Sequence, residues 1–492
     1  MSKFYVATAI PYVNDKPHLG HALLHLYADV LARYHRQLGD DVLFSAGTDE
    51  HGGKVAEAAA KAGAEPKHFV DQISVSFREG LKKLGVSNDR FIRTTDAGHE
   101  QRAQLIWQAL TRDIYKKAYE GMYCVGCEEF KTEAYVKATD GICPLHNRPY
   151  EKVAEENYFF ALSKYTAKIK AAIETDQYRI IPTSRKNEIL SVINEGLQDI
   201  SISRPKNKIP WGIPVPGDET QTMYVWFEAL MNYITVLGYP EHADFKKYWP
   251  ADVQVIGKDI LRFHAAVWPG MLLALGLPLP KSLYVHGFVT SGGQKMSKSL
   301  GNVVDPLEIV DKYGVDAFRY FFLRHIPSYS DGDFTWELIE AAYNNELADQ
   351  LGNAVSRTAA MISKYQNGVI GNVPPPEHDV AAYAQAIGRC RFDKALSVVW
   401  EQVKGLNQYI DESKPWEMAS PPGGGVDEDH LREVLANMAA NLLEIAALLV
   451  PFMPETAQKI EGVFGTGVLK PLSAPLFPKT VKSPKSTTAP GS

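Results

Sequence analysis

FYVATAIPYVNDKPHLGHALL, residues 4–24, decides the fold. FYVATAI is an unbroken apolar run rich in β-branched and aromatic residues, the signature of a strand covered on both faces. Pro11 ends it, and a short polar loop follows. ALLHLYADVLARYHRQLG then shows helical periodicity and stops at Gly39. DVLFSAGTDEHG (41–52) is a second strand that ends in polar residues. Strand, loop, helix and strand in this order open a doubly wound α/β sheet, whose first strand-to-helix turn is where phosphates bind.

Bulk properties set the outer limits. The chain has 492 residues, room for about three domains of roughly 150. Apolar residues make up 45% and charged residues 22%, with a formal charge of −6. Such a field does not announce nucleic acid, so any RNA-binding surface is expected to be local. No apolar run reaches the ~18 residues of a membrane span. The strand pattern begins within three residues of Met1, leaving no room for a signal peptide, and we expect a cytoplasmic protein without membrane contact.

The segment 116–216 breaks the βα rhythm and is expected to be an insertion. It contains Cys124-x₂-Cys127, then fifteen residues, then Cys143-x₂-His146. Two close pairs on turns can close a tetrahedron around Zn²⁺, and a Cys₃His set leaves no position for water. A structural zinc is therefore expected; a cysteine-containing turn that folds without metal is the plainer alternative. Cys390 has no sequence neighbour of its kind. Strand patterns return at MYVWF (223–227), DVQVIG (252–257) and SLYVHGFV (282–289). The predicted layout is a Rossmann-like first half at 1–115, the insertion at 116–216 with its knuckle at 121–150, and a second half at 217–290. A loop and stem-contact region follows at 291–340, then a helical domain at 341–469. Residues 470–492, with four lysines and no acids, are expected to lack fixed structure. GNVPPPEHD (371–379) and SPPGGGVDED (420–429) are predicted loops.

HLGH (18–21) places two imidazoles, i and i+3, at the start of the first helix, where they could donate to phosphate oxygens. Gly20 between them lets a flat base approach the backbone. Some 275 residues later comes SGGQKMSKSLGN (291–302), glycines beside lysines and serines. Together the two stretches resemble the paired signatures of the class I aminoacyl-tRNA synthetases. The resemblance implies that an amino-acid carboxylate attacks the α-phosphate of ATP, and that the aminoacyl group then passes to the terminal adenosine of a tRNA. His18 and His21 would stabilise the phosphorus centre, and Lys295 and Lys298 the leaving pyrophosphate, with Mg²⁺ accompanying ATP. Gly20, Gly257, Asp259 and Ser299 would complete the ATP contacts. Gly292 and Gly293 read as hinges that let the loop close and reopen.

AIPYVND (9–15), TDEHG (48–52), YVWFEALMNY (224–233), IGKDILRFH (256–264) and VHGFVTSGGQKMSKS (285–299) resemble the methionyl branch of that class, across roughly residues 3–465. The resemblance puts Ile10, Tyr12, Trp226, Ala229, Tyr233, Ile260, Phe263 and His264 around a methionine side chain, with Asp49 on its ammonium. Aromatic walls suit a polarizable thioether, and Tyr or His donors could reach its sulfur. Core packing is the plainer reading of Trp226 and Tyr233, whose seven-residue spacing predicts one helix face. Leu230 departs from the proline that some members carry. In NNELADQLGNAVSRTAAMISKY (344–365), Asn353 and Arg357 share a helix face; with Trp416 the resemblance assigns them to the CAU anticodon, though a polar helix face is the plainer reading of the pair. The expected partners are L-methionine, ATP and tRNA(Met), including initiator tRNA, and the expected state is a monomer. A cysteinyl enzyme and a zinc-containing RNA-binding protein without catalysis are the alternatives; the first would be expected to hold a metal inside its amino-acid pocket.

Overall fold

The structure is a computed structural model that describes residues 2–14, 16–127, 129–131, 133–295, 302–371, 380–420, 425, 427–470 and 472–479. The chain divides into two compact units, one of Met1–Lys16, Asp41–Glu79 and Asn88–Val285, the other of Pro17–Asp40, Gly80–Ser87 and His286–Ser492. Among the described residues, no helix is long and apolar enough to cross a membrane.

The first unit is built on a six-stranded sheet. Its strands are β1 (Lys3–Thr8), β2 (Asp41–Thr48), β3 (Arg90–Arg93), β4 (Arg179–Ile181), β5 (Val253–Gly257) and β6 (Ser282–His286), in the order β3-β2-β1-β5-β6-β4. The β1–β2, β1–β5, β2–β3 and β6–β4 pairs are parallel. Strand order reverses between β1 and β5, where Val6 lies beside Val253 and Thr8 beside Val255. In open α/β sheets the crevice at the carboxyl ends of such a pair takes the ligand.

The insertion is smaller than the sequence predicts. An antiparallel sheet of Ile114–Cys124, Glu129–Lys131, Glu151–Phe160 and Ile200–Ser201 interrupts the main fold. Within the expected 116–216 span, however, Arg179–Ile181 returns to the main sheet and pairs with Ser282–Tyr284. Three residues are too few for a period-2 pattern to be seen. MYVWF also divides. The strand Asp218–Met223 stops at Met223, and helix Val225–Ala229 begins after Tyr224.

The second unit starts with helix α1 (Leu19–Gln37). Its buried Asp29 takes Arg319 (2.7 Å) and Arg33 (2.7 Å). Arg319 is fully buried and also donates to the carbonyls of Phe452 (2.7 Å) and Pro451 (3.0 Å). A guanidinium so satisfied ties three segments together, and removing either charge would strand the other. The helical region follows: Tyr343–Gly352 in π geometry, then Asn353–Gln366, Phe392–Ser413, Glu428–Leu449 and Pro454–Phe464. Of the predicted loops, 372–379, 421–424 and 426 lie outside the described residues.

The tail departs from expectation. Leu476 and Phe477 are buried, Tyr343 donates to the Pro478 carbonyl (3.0 Å), and Lys479 pairs with Asp349 (2.6 Å). One apolar pair in a Pro- and Ser-rich segment is enough to dock 472–479; residues 480–492 lie outside the described residues.

Candidate active site and metal cluster

In the first unit, three strands deliver their carboxyl ends to one place. Ile10 and Tyr12 follow β1, Asp49 follows β2, Gly257 ends β5 and Asp259 follows it. The loops after β1 and β2 are pinned together: the Asp49 N–H donates to the Pro11 carbonyl (2.8 Å) and the Val13 N–H to the Asp49 carbonyl (3.0 Å). Tyr12 and Asp49 are therefore bridged neighbours. Gly52, at φ 102°, lies so close to Tyr12 that a Cβ there would sit 2.1 Å from its hydroxyl, and 3.5 Å from Val225 Cβ. Any side chain at 52 would push Tyr12 away.

Trp226 and Tyr233 lie on two short helices, Val225–Ala229 and Asn232–Thr235, instead of the single helix that the sequence predicts. Trp226 stacks on Phe263, with centroids 4.2 Å apart and planes 6° from parallel. Tyr233, fully buried, is joined to His264 through its hydroxyl and Nε2 at 2.9 Å. His264 Nδ1 lies 3.0 Å from the Ile260 carbonyl. A carbonyl only accepts, so Nδ1 carries the proton, Nε2 accepts, and the Tyr233 hydroxyl donates to it. Neither group then has a proton left for a thioether sulfur. These hydrogen bonds hold the Tyr233 and His264 rings in place.

Burial pushes His264 down to about 4, against the raising effect of the Ile260 bond. Burial likewise lowers His25 on α1 to about 4. Both lie below the ordinary value of 6.5, so on acidification the unfolded chain takes the proton first. Stability is then full above about pH 6.5 and is lost as pH falls toward 4, by up to about 3 kcal/mol for each group. Calorimetric melting temperatures should fall as pH is lowered below 6.5, with a shallower fall in His25→Gln.

In the second unit, His18 caps α1. The Gly20 N–H donates to His18 Nδ1 (3.1 Å), and the His18 N–H lies 3.4 Å from His21 Nδ1. The two rings stack at 3.7 Å. With both Nδ1 atoms accepting, the neutral tautomers carry their protons on Nε2. Burial first, then the charges of His18, His25 and His286, hold His21 well below the usual imidazole value, so it stays a neutral donor. A Cβ on Gly20 would come within 3.0 Å of the His18 ring. Gly20 thus makes room for the His18 ring.

Gly292 and Gly293, at φ 61° and 77°, form the two-residue turn of a hairpin between Val289–Ser291 and Gln294–Lys295. Two adjacent positive φ values match a type I′ turn, which glycine favours. The Gly293 N–H donates to Asp333 Oδ1 (2.8 Å), and Val289–Ser291 runs parallel to Gly332–Phe334. The expected hinge is thus a braced turn in this state. Lys298 and Ser299 lie outside the described residues; Lys295 closes the hairpin opposite Thr290.

The four expected metal ligands converge. The ligand atoms of Cys124, Cys127, Cys143 and His146 all lie within 4.8 Å of one another. Cys127 Sγ is 3.6 Å from Cys143 Sγ and 3.5 Å from His146 Nδ1, and Cys143 Sγ is 3.6 Å from His146 Nδ1. Bonds of ~2.3 Å from one ion to sulfur, at tetrahedral angles, give edges of about 3.7 Å. The donor set fits a metal ion and does not fit a disulfide. Gly126 lets the knuckle close: a Cβ there would lie 2.4 Å from the His146 ring.

In the helical region, the Arg357 guanidinium lies 5.7 Å from the Trp416 ring centroid and pairs with Asp411 (2.7 Å). Trp416 is 39% exposed, unusual for an indole that packing alone would hide. Asn353 is exposed one helical turn before Arg357.

Sequence reasoning missed a buried polar cluster beside the pocket. Glu228, one residue before Ala229, is fully buried between His51 (2.9 Å) and His99 (2.8 Å). A lone carboxylate in the apolar run YVWFEALM was its signal, because a buried charge needs partners.

A doubly wound sheet with crevice residues at the switch point, and a histidine pair capping the following helix, define the architecture of a class I aminoacyl-tRNA synthetase. The family model described as tRNA synthetases class I (M) matches residues 4–152 and 139–359. The chain belongs to this family, in its methionyl-tRNA synthetase branch. Among its relatives are methionine–tRNA ligases of Caldanaerobacter subterraneus (46% identical over 472 residues, 93% of this chain and 73% of the relative) and Streptomyces coelicolor (42% over 482 residues, 93% and 88%). A solved Mycobacterium tuberculosis methionyl-tRNA synthetase in complex with methionyl-adenylate superposes with a TM-score of 0.89, at 36% identity, covering 97% of this chain and 100% of that one.

Proposed function

We infer that the chain is a methionine–tRNA ligase. It activates L-methionine with ATP to methionyl-adenylate and pyrophosphate, then transfers the methionyl group to the 3′-terminal adenosine of tRNA(Met), initiator tRNA included. The observation that carries this reading is the likeness, over nearly the whole chain, to a synthetase solved with methionyl-adenylate.

We propose the following division of labour, which the sequence motifs and the local geometry support. The Asp49 carboxylate is the natural partner of the methionine ammonium. Trp226, Phe263, Tyr233, Ala229 and Ile10 offer the aromatic and aliphatic walls, with Tyr12 at the mouth. Gly257 and Asp259, at the end of β5, stand where a nucleotide's ribose meets a doubly wound sheet. His18 and His21 would present N–H donors for charge that builds on the α-phosphate. Lys295, Lys298 and Ser299 would hold the departing pyrophosphate. Little covalent work falls to the protein, so positioning and preorganised donors carry the rate. Mg²⁺ enters with ATP as part of the substrate.

Cys124, Cys127, Cys143 and His146 would hold zinc, which supplies folding energy and no catalysis in a closed four-ligand site. Cys143→Ser is expected to lower bound zinc from about one equivalent to near zero by elemental analysis and to melt the insertion at a lower temperature. Asn353, Arg357 and Trp416 would read the anticodon, and the protein would act as a cytoplasmic monomer. The test is aminoacylation of tRNA transcripts. A CAU anticodon should be charged with methionine, and one changed base should lower kcat/KM at least tenfold. Equal charging of both would contradict the anticodon assignment.

A further inference from the structure

The buried cluster beside the pocket has a definite shape. Glu228 Oε1 takes His51 Nδ1 at 2.9 Å, and Glu228 Oε2 takes His99 Nε2 at 2.8 Å. The other nitrogen of His99 meets the Thr235 hydroxyl at 2.8 Å. His51 also reaches Glu100 at 3.6 Å. His51, His99 and Glu228 are each 3% exposed or less, and Thr235 is 5% exposed. The members sit on four elements. His51 stands two residues after Asp49. Glu228 stands two after Trp226 and one before Ala229. Thr235 stands two after Tyr233. His99 lies on helix Ala97–Ala109.

We propose that Glu228, with His51 and His99, is a positioning clamp that fixes the distance between the ammonium-binding Asp49 and the aromatic wall of Trp226, Ala229 and Tyr233, and so sets affinity for the amino acid. The need for it follows from the break at residues 230–231. Two short helices, of five and four residues, have too few internal hydrogen bonds to hold their relative angle. His99 spans that break by binding Glu228 on one helix and Thr235 on the other. His51 carries the same carboxylate across to the TDEHG turn. The charges agree with the geometry. Burial alone would lower His51, but Glu228 and Glu100 outweigh it and raise it to about 10, so the pair is ionic. None of the three needs to touch a substrate.

The clamp rests on the methionine-site reading above. Its test is Glu228→Gln, which keeps the shape but turns an amide N–H₂ toward one of the two histidine donors. The clamp predicts a methionine Kd raised about tenfold by titration calorimetry, with KM for ATP within about twofold and a cooperative melt retained. A uniformly structural role would shift both substrates and kcat together, and that result overturns the clamp. If Glu228→Gln does not fold, His51→Asn and His99→Asn each remove a single partner and carry the same prediction. A methionine Kd within about twofold of the parent in every folded variant overturns the proposal. Trp226→Ala separates the two readings. If it weakens methionine binding and the clamp variants do not, the clamp alone falls; if none weakens binding, the site assignment falls with it.

Discussion

His21→Ala is expected to slow methionine-dependent adenylate formation about 10²–10³-fold, the usual loss when one preorganised donor to a developing oxyanion is removed. The ring does not act through a positive charge, because its surroundings hold it neutral at working pH. In the proposed role it would act through its Nε2–H, with Nδ1 engaged by the His18 backbone N–H. Two consequences separate this account from simple packing. Methionine affinity should stay within about twofold, since the proposed role places the histidine on the ATP side of the reaction. His21→Gln, which can present an amide N–H in a similar direction, should recover part of the rate. Pre-steady-state quench measurements with saturating ATP read the step itself. A fall in methionine affinity with an unchanged rate would reject the role.

The second large effect is at the other end of the second unit. Trp416→Ala should lower kcat/KM for charging tRNA about 5–150-fold while leaving ATP–pyrophosphate exchange within about twofold. The estimate follows from loss of ~1–3 kcal/mol of base stacking. The indole is exposed and has Arg357 beside it, so a splayed base could lie on either group. Arg357→Ala should add to the loss less than independently, because the two surfaces adjoin. Equal loss of exchange and charging would mean that the helical region had been damaged globally.

How much of this was legible before the structure depended on the length of each signal. The opening strand, α1 and the Cys/His pairs are local patterns, and each lies where the sequence puts it. The crevice was legible because its residues follow strand ends. Short and context-dependent features were not. Arg179–Ile181 joins the main sheet only because Ser282–Tyr284 offers an edge, and nothing within three residues announces that. MYVWF has strand composition, yet Tyr224 turns the chain into a helix, which shows tertiary context overriding propensity. Leu476 and Phe477 dock in a segment whose composition is that of a coil. The histidine–carboxylate clamp joins residues 51, 99 and 228, and no spacing rule connects positions so far apart. The Tyr233–His264 pair shows a subtler limit. Its residues were legible, but the proton direction follows only from the Ile260 carbonyl behind the ring.

The central claim is that the first unit selects methionine for activation by ATP, and ATP–pyrophosphate exchange measures that step alone. With purified protein, methionine should drive exchange at a rate at least a hundredfold above that with cysteine at equal concentration. Exchange driven equally by cysteine, or no exchange with any amino acid, would contradict the account.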